Sequence, residues 1–126
     1  MATRCRIAKV QDDGTIKSIY CHWDGYPEGV GKTLLEHYTD PDIIDKLIEI
    51  GDISSLRDTI EETAKEHYDS EACRKDEDIK EFMSHIEDAG EEYSYIFQKD
   101  WDGVYCWKVV ETPYAQRLTD ILKERK

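Results

Sequence analysis

Apolar residues alternate with polar ones in two runs near the start of the chain, and this period of two predicts β-strands. The first run covers residues 4–10 and the second covers residues 15–23. Asp12, Asp13 and Gly14 lie between them and form a turn signal, because glycine tolerates the positive φ that tight turns need. The chain is therefore predicted to open with a β-hairpin.

The apolar spacing then changes to the 3.6-residue period of a helix. Residues 32–38 are predicted to form a first helix. Asp40 followed by Pro41 predicts a capped start for a second helix, and Gly51 predicts its end.

Two further helices are predicted in the polar middle of the chain. Ser54 or Ser55 is expected to cap one that runs to about Tyr68. The other ends at Gly90 and carries apolar residues at i, i+3, i+4 and i+7. These residues are Ile79, Phe82, Met83 and Ile86.

A second hairpin and a last helix are predicted near the C-terminal end. Residues 93–97 and 104–110 read as strands on either side of a turn at residues 100–103. Thr112 and Pro113 are expected to cap a helix that follows. Its apolar face would consist of Tyr114, Leu118, Ile121 and Leu122.

This order of elements predicts an α+β fold. We expect an antiparallel sheet of about four strands, made of the two hairpins and packed against three to five helices. A chain of 126 residues is long enough for one core and short for two, so residues 1–126 are predicted to form a single domain.

Charge is distributed unevenly along the chain. The formal net charge is −12, and residues 58–92 alone carry fourteen acidic and four basic side chains. Such a balance argues against direct binding to nucleic acid, which relies on Lys and Arg to neutralise phosphates. Residues 1–40 carry six acids and five bases, so the acidity belongs to the predicted middle helices.

Apolar runs and cysteines indicate the compartment. No run is long enough for a membrane span and the N-terminal residues lack a secretory signal, so we expect no membrane association and a cytoplasmic location. Cys5, Cys21, Cys73 and Cys106 form no C-x-x-C pair, which argues against a zinc ribbon or a redox motif. Core packing is the expected role for the cysteines, which a cytosolic compartment would keep reduced.

Residues 18–33 combine aromatic and glycine residues with Lys32 and Thr33 at the predicted start of a helix. A P-loop would need glycine at position 26, where the chain has Tyr26, so nucleotide hydrolysis by that route is not favoured. Glycines and a helix start nevertheless suit a phosphate, with Lys32 as a point charge and Thr33 as a hydroxyl donor. The alternative is an ordinary structured turn, and the two interpretations carry similar weight.

Aromatic residues add a second reason to expect a ligand. Trp107 and one of Tyr93 or Tyr95 are expected in the core, whereas Trp23, Tyr26 and Trp101 lie in polar, turn-rich segments. The predicted ligand-binding residues are Tyr20, His22, Trp23, Asp24, Tyr26, Gly29, Gly31, Lys32, Thr33 and Trp101.

Catalytic and metal-binding signatures are weak by comparison. His22, Asp24, Glu28 and His37 lack a spacing that would bring them together as metal ligands or as an acid/base pair. We therefore predict no metal, no cofactor and no catalytic residue, and a binding role rather than an enzyme. A hydrolase that uses His22 and Asp24 is a weaker alternative.

A recognisable pattern is formed by residues 2–7, 18–27, 30–32 and 35–40, with a weaker echo at residues 93–97. On this pattern, about the first 55 residues resemble small proteins encoded by bacteriophages and prophages. A phage origin implies a role against host defence, in the host cytoplasm.

Two mechanisms fit that implication. In the first, the protein binds a nucleotide-type immune signal, such as an ADP-ribose derivative or a cyclic nucleotide, and sequesters it, typically as a homo-oligomer. In the second, the acidic helices imitate nucleic acid or bind a host defence protein, and so inhibit a defence nuclease. Acidic helix faces are usually only solvated surfaces, which places the second mechanism behind the first.

Overall fold

The computed structural model describes the backbone of residues 3–67, 74–89, 93–99, 103–111 and 114–117, and the side chains of residues 3–67, 74–85, 93–99 and 103–109. Within these ranges no helix has the length and apolar character required to cross a bilayer.

The chain opens with the predicted β-hairpin. Strand β1, Cys5–Val10, pairs antiparallel with β2, Ile16–Cys21. Gly14 in the turn has a φ of 88°, in the left-handed region that favours glycine. The Asp13 carboxylate accepts hydrogen bonds from the hydroxyl and the backbone N–H of Thr15, and these bonds lower the pKa of Asp13.

The described strands form one six-stranded mixed sheet. Strand β3 is Arg74–Asp76, β4 is Tyr93–Lys99, β5 is Tyr105–Glu111 and β6 is Tyr114–Arg117. Their spatial order is β3-β2-β1-β4-β5-β6, and the central pair β1 and β4 runs parallel. The α+β class is confirmed, but the predicted four-stranded antiparallel sheet is wrong. The two hairpins lie side by side in parallel, and short strands extend both edges.

The helices match the predicted order for the most part. Helix α1 is Lys32–His37, α2 is Pro41–Ile50, α3 is Ile60–Ala64 and α4 is Ile79–Ala89. Asp40 caps α2 as predicted, since its carboxylate accepts the N–H of Asp42 at 2.9 Å.

Two helix predictions are wrong. The third helix is short and is capped by Thr59, whereas Ser54 donates its hydroxyl hydrogen bonds to Glu66. The predicted last helix begins instead as strand β6, whose backbone pairs with β5. A free sheet edge offers a row of hydrogen-bonding groups, and pairing with it outweighs the local capping signal. Residues 112–113 and 118–126 lie outside the described residues.

Helices cover both faces of the sheet. On one face, α1 and α2 pack against β1, β2, β4 and β5 around Ile7, Ile19 and Tyr95. On the other, Phe82 of α4 packs against a smaller apolar cluster. The fifteen buried residues of the larger cluster include Cys5 and Cys21, which lie opposite one another and are fully buried, as predicted for core cysteines. The smaller cluster comprises Ala8, Ile16, Phe82 and Ile96.

Candidate functional site

Backbone hydrogen bonds hold the segment after β2 in place. The N–H of Trp23 donates to the Ser54 carbonyl at 2.9 Å, and the N–H of Gly25 donates to the Thr3 carbonyl at 2.8 Å. The buried hydroxyl of Tyr95 donates to the Gly25 carbonyl at 2.6 Å. The segment that was expected to be a loop is therefore anchored at several points.

The helical path begins earlier than the sequence predicts. A π-helical turn, Pro27–Gly31, leads directly into α1. The N–H of Lys32 donates to the carbonyls of Pro27 and Gly29. Because that N–H is already bonded, it is not available to a phosphate at the start of α1.

Close packing explains two of the glycines in this segment. A Cβ on Gly25 would lie 2.7 Å from the Thr3 carbonyl oxygen and 2.8 Å from the Cys5 Cβ. A Cβ on Gly29 would lie 2.4 Å from the Asp24 carbonyl oxygen. All three distances are too short for a real side chain, so the structured-turn interpretation accounts for these glycines without a ligand.

Six of the ten predicted residues, Gly29 among them, meet at a surface depression of about 320 Å³. Trp23, Asp24, Tyr26, Lys32 and Thr33 all line it. We call it the Trp23 depression. Its complete lining is Trp23, Asp24, Tyr26, Glu28, Gly29, Val30, Lys32, Thr33, Glu36, Ser55, Leu56 and Arg57.

Two aromatic side chains on this depression are unusually open to solvent. Trp23 is 46% exposed and Tyr26 is 37% exposed, whereas Trp107 and Tyr95 are buried as predicted. Single exposed hydrophobic residues are normal, but two exposed rings on one depression are candidates for a contact surface. The predicted division between core and exposed aromatics is thus confirmed for these four residues.

Other predicted site residues lie behind the depression or outside the described residues. The hydroxyl of Tyr20 is 2.7 Å from Nδ1 of His22, whose ring meets the ring of Trp23 edge-on with centroids 4.7 Å apart. Tyr20 and His22 thus support Trp23 but do not line the depression. Gly31 is buried. Trp101 lies outside the described residues.

Arg57 is a site residue that sequence reasoning missed. It reaches the depression from the segment before α3, which is distant in sequence from residues 18–33. Ser55 and Leu56 come from the same segment. No local motif marks these residues, since their position depends on the bonds that tie residues 53 and 54 to the end of β2.

Each cation on the depression already has a carboxylate neighbour. Nζ of Lys32 lies 4.0 Å from Oε1 of Glu36, and both side chains are more than half exposed. Nη2 of Arg57 lies 3.2 Å from Oε1 of Glu66, whose other oxygen accepts the hydroxyl of Ser54 at 2.8 Å. The hydroxyl bond from Ser54, followed by the bond and charge of Arg57, lowers the pKa of Glu66.

This lowered pKa predicts an acid-dependent loss of stability. Because the folded state favours the Glu66 carboxylate, its contribution is complete above the ordinary value of 4.5 and is lost as the pH falls through the lower folded pKa. We expect Glu66→Gln to be less stable than the natural protein at pH 7, and the difference to shrink below pH 4.5. Urea unfolding at a series of pH values measures this. Glu61→Gln, at an exposed position, is the matched control, and a difference that stays constant with pH would contradict the assignment.

Among the described residues, the four residues considered as metal or acid/base ligands form no group of three that could hold a metal. Asp24 accepts a hydrogen bond from the Tyr26 hydroxyl at 3.4 Å. His37 lies near Glu36 and Asp58, at 3.8 and 3.7 Å. Within the described ranges, neither His22 nor Glu28 joins them in a cluster that could hold a metal.

The chain matches no protein-family model, no curated protein and no solved structure.

Proposed function

We propose that the protein binds a nucleotide-type small molecule in the Trp23 depression and sequesters it without converting it. In the phage setting that the resemblance implies, the ligand is an immune signal such as an ADP-ribose derivative or a cyclic nucleotide, held in the host cytoplasm away from its effector. The observation that carries the proposal is that two exposed aromatics, Trp23 and Tyr26, line the same depression as Lys32 and Arg57.

Stacking is the main source of affinity in this proposal. A base stacked on an aromatic ring gains about 1 to 3 kcal/mol. The ring of Trp23 contacts the ring of His22 edge-on, and this contact favours one orientation of the Trp23 side chain before a ligand binds. Tyr26 offers a second ring on the same depression.

Local charges supply the phosphate contacts. Lys32 and Arg57 face the depression together with Asp24, Glu28 and Glu36, so its lining has three acids and two bases. A phosphate must therefore exchange places with the carboxylates that now contact the two cations. The Thr33 hydroxyl donates to the Gly29 carbonyl at 3.2 Å, so its predicted role as a hydroxyl donor to a phosphate requires that this bond be given up.

Geometry supports binding rather than hydrolysis. In the hydrolase alternative, His22 and Asp24 would act together. The Asp24 carboxylate accepts from Tyr26, however, while Nδ1 of His22 contacts the Tyr20 hydroxyl. The two side chains are engaged with different partners, and His22 does not line the depression.

A calorimetric titration of the purified chain with ADP-ribose, cyclic AMP and cyclic di-GMP tests the proposal. We expect saturable binding of at least one of these probes, recovered unchanged by mass spectrometry after heat release. Trp23→Ala should weaken it at least tenfold because stacking is lost. Lys32→Ala should weaken binding by about threefold, since an ion pair made by this exposed side chain is weak.

Matched controls come from the far side of the molecule. Ile79 is as exposed as Trp23, and Lys80 is an exposed lysine on α4. Ile79→Ala and Lys80→Ala are expected to leave binding unchanged. Absence of binding to all three probes, together with absence of a co-purified small molecule, would overturn the proposal.

The same titrations separate this function from acidic mimicry. Glu61 and Glu62 are exposed on α3, but Glu66 is bonded to Ser54 and Arg57 and contributes to the fold. Charge reversal at Glu61 and Glu62 should leave nucleotide binding intact. A loss of anti-defence activity in that variant alone would favour a protein-binding inhibitor.

Light scattering with and without a bound probe tests the expected homo-oligomer.

A further inference from the structure

Strand β3 and helix α4 bring together three side chains that ordinarily bind metals. Asp76 lies at the end of β3, and Glu81 and His85 lie on α4. One potential ligand atom from each lies within 4.8 Å of the other two. Among the described residues this is the one such group of three, and it lies outside the Trp23 depression.

Regular structure sets the positions of all three residues. Glu81 and His85 are four residues apart, so they project from the same face of α4. The start of α4 is fixed by Asp78, whose carboxylate accepts the N–H of Glu81 at 2.9 Å. Asp76 pairs with Ile16 of β2, and this pairing fixes β3 at the edge of the sheet.

Asp76 is held in a single orientation. Its side chain is fully buried, and its Oδ2 accepts a hydrogen bond from Nε of Arg74 at 3.2 Å. The Arg74 guanidinium lies over the ring of Phe82, 5.7 Å from its centroid. Oδ1 is thereby left to face His85, whose Nδ1 lies 2.5 Å away. A neighbour that orients a carboxylate in this way is a common feature of metal sites.

We propose that Asp76, Glu81 and His85 bind a divalent first-row transition metal of the zinc or manganese class. One imidazole nitrogen and two carboxylate oxygens suit these ions, whereas calcium and magnesium prefer oxygen ligands alone. Three protein ligands leave at least one coordination position for water or an anion. His85 is 44% exposed, so an ion can enter from solvent.

Binding requires only small side-chain movements. Ligand atoms around a tetrahedral ion with bonds of about 2.1 Å are roughly 3.4 Å apart. The more exposed Glu81 and His85 can rotate to reach that separation while Asp76 remains fixed by Arg74. The ion takes the place of the hydrogen bond between Nδ1 of His85 and Oδ1 of Asp76, and the neutral imidazole then carries its proton on Nε2.

Calorimetry on the full chain, stripped with a chelator and titrated with zinc chloride or manganese chloride, tests the site. We expect one ion per chain and a rise in Tm that excess chelator reverses. His85→Ala and Glu81→Gln should each weaken the binding of both ions at least tenfold. Both changes are at partly exposed positions of α4, so circular dichroism can confirm that the variants fold even if Asp76→Asn does not.

Controls distinguish this site from other potential ligands. Glu77 is an exposed acid between β3 and α4, and His37 is a histidine that belongs to α1. Glu77→Gln and His37→Ala are expected to bind both ions like the natural protein, as is Trp23→Ala. Failure of the natural protein to bind either ion, or undiminished binding by His85→Ala, would overturn the proposal. The cluster would then be a hydrogen-bonded tie between α4 and β3 alone.

Discussion

Replacing Gly29 with alanine is expected to destabilise the protein by about 3 kcal/mol, the upper end of the usual cost of overpacking. The new Cβ would lie 2.4 Å from the Asp24 carbonyl oxygen and 3.2 Å from Cε2 of Tyr26. That carbonyl accepts the N–H of Val30 at 2.8 Å, so it cannot move without loss of a hydrogen bond. Thermal unfolding should show a decrease in Tm of roughly 10 °C for a domain of this size.

Gly14→Ala is the matched control for this effect. A Cβ on Gly14 would have open space around it. The substitution should therefore destabilise the protein only through the strain of a φ of 88°, by about 1 kcal/mol. Gly25→Ala should resemble Gly29→Ala, because its Cβ would also meet backbone and Cys5. Equal stability losses for Gly29→Ala and Gly14→Ala would contradict the packing explanation.

The Gly29 variant also decides between the two interpretations of the glycine-rich segment. If Gly29 existed to let a phosphate approach the backbone, alanine would weaken nucleotide binding and leave the free protein stable. The contacts with Asp24 and Tyr26 predict a loss of stability in the absence of any ligand. The sequence alone could not separate close packing from ligand approach, because both require glycine. They differ only in whether protein atoms or a ligand lie next to its Cα.

Elements with local signals were predicted well. Hairpin β1–β2 and helix α2 follow from alternation, a turn glycine and the Asp40 cap, each contained within a few residues. The parallel pairing of β1 with β4 was missed because it joins segments more than eighty residues apart and leaves no local trace. Strand β6 was read as a helix for a related reason, since the edge of β5 that it pairs with is a feature of the folded sheet.

In the candidate sites too, features set by neighbouring residues could be predicted, whereas features set by long-range contacts could not. The exposure of Trp23 and Tyr26 could be predicted from their polar, turn-rich surroundings. The position of Arg57 could not be predicted, because it depends on backbone hydrogen bonds between segments that are distant in sequence. The metal-ligand group left a partial signal in the four-residue spacing of Glu81 and His85, but its third member depends on the pairing of β3.

Removal of the Asp45 carboxylate is expected to cost about 2 kcal/mol. Its partner Lys9 lies on β1 beneath α2, with a side chain that is only 9% exposed, and the Nζ to Oδ1 distance is 2.9 Å. Asp45→Ala leaves a nearly buried ammonium without a counter-charge, a change that costs about 3 to 5 kcal/mol in a fully buried pair. Because the Asp45 side chain is 44% exposed, water reduces that penalty.

Lys9→Met is expected to cost less stability than Asp45→Ala, and comparison of the two variants tests the ion pair. Methionine keeps the apolar stem against the core and removes the buried charge, so its stability should lie within about 1 kcal/mol of the natural protein. In Lys9→Met the carboxylate of Asp45 is solvated, hence Asp45→Ala should cost little when added to it. Urea unfolding of both single variants and the double variant gives the coupling energy, about 2 kcal/mol on this argument. If Asp45→Ala costs as much in the Lys9→Met background as in the natural protein, the ion pair contributes nothing and Lys9 is held by packing of its stem alone.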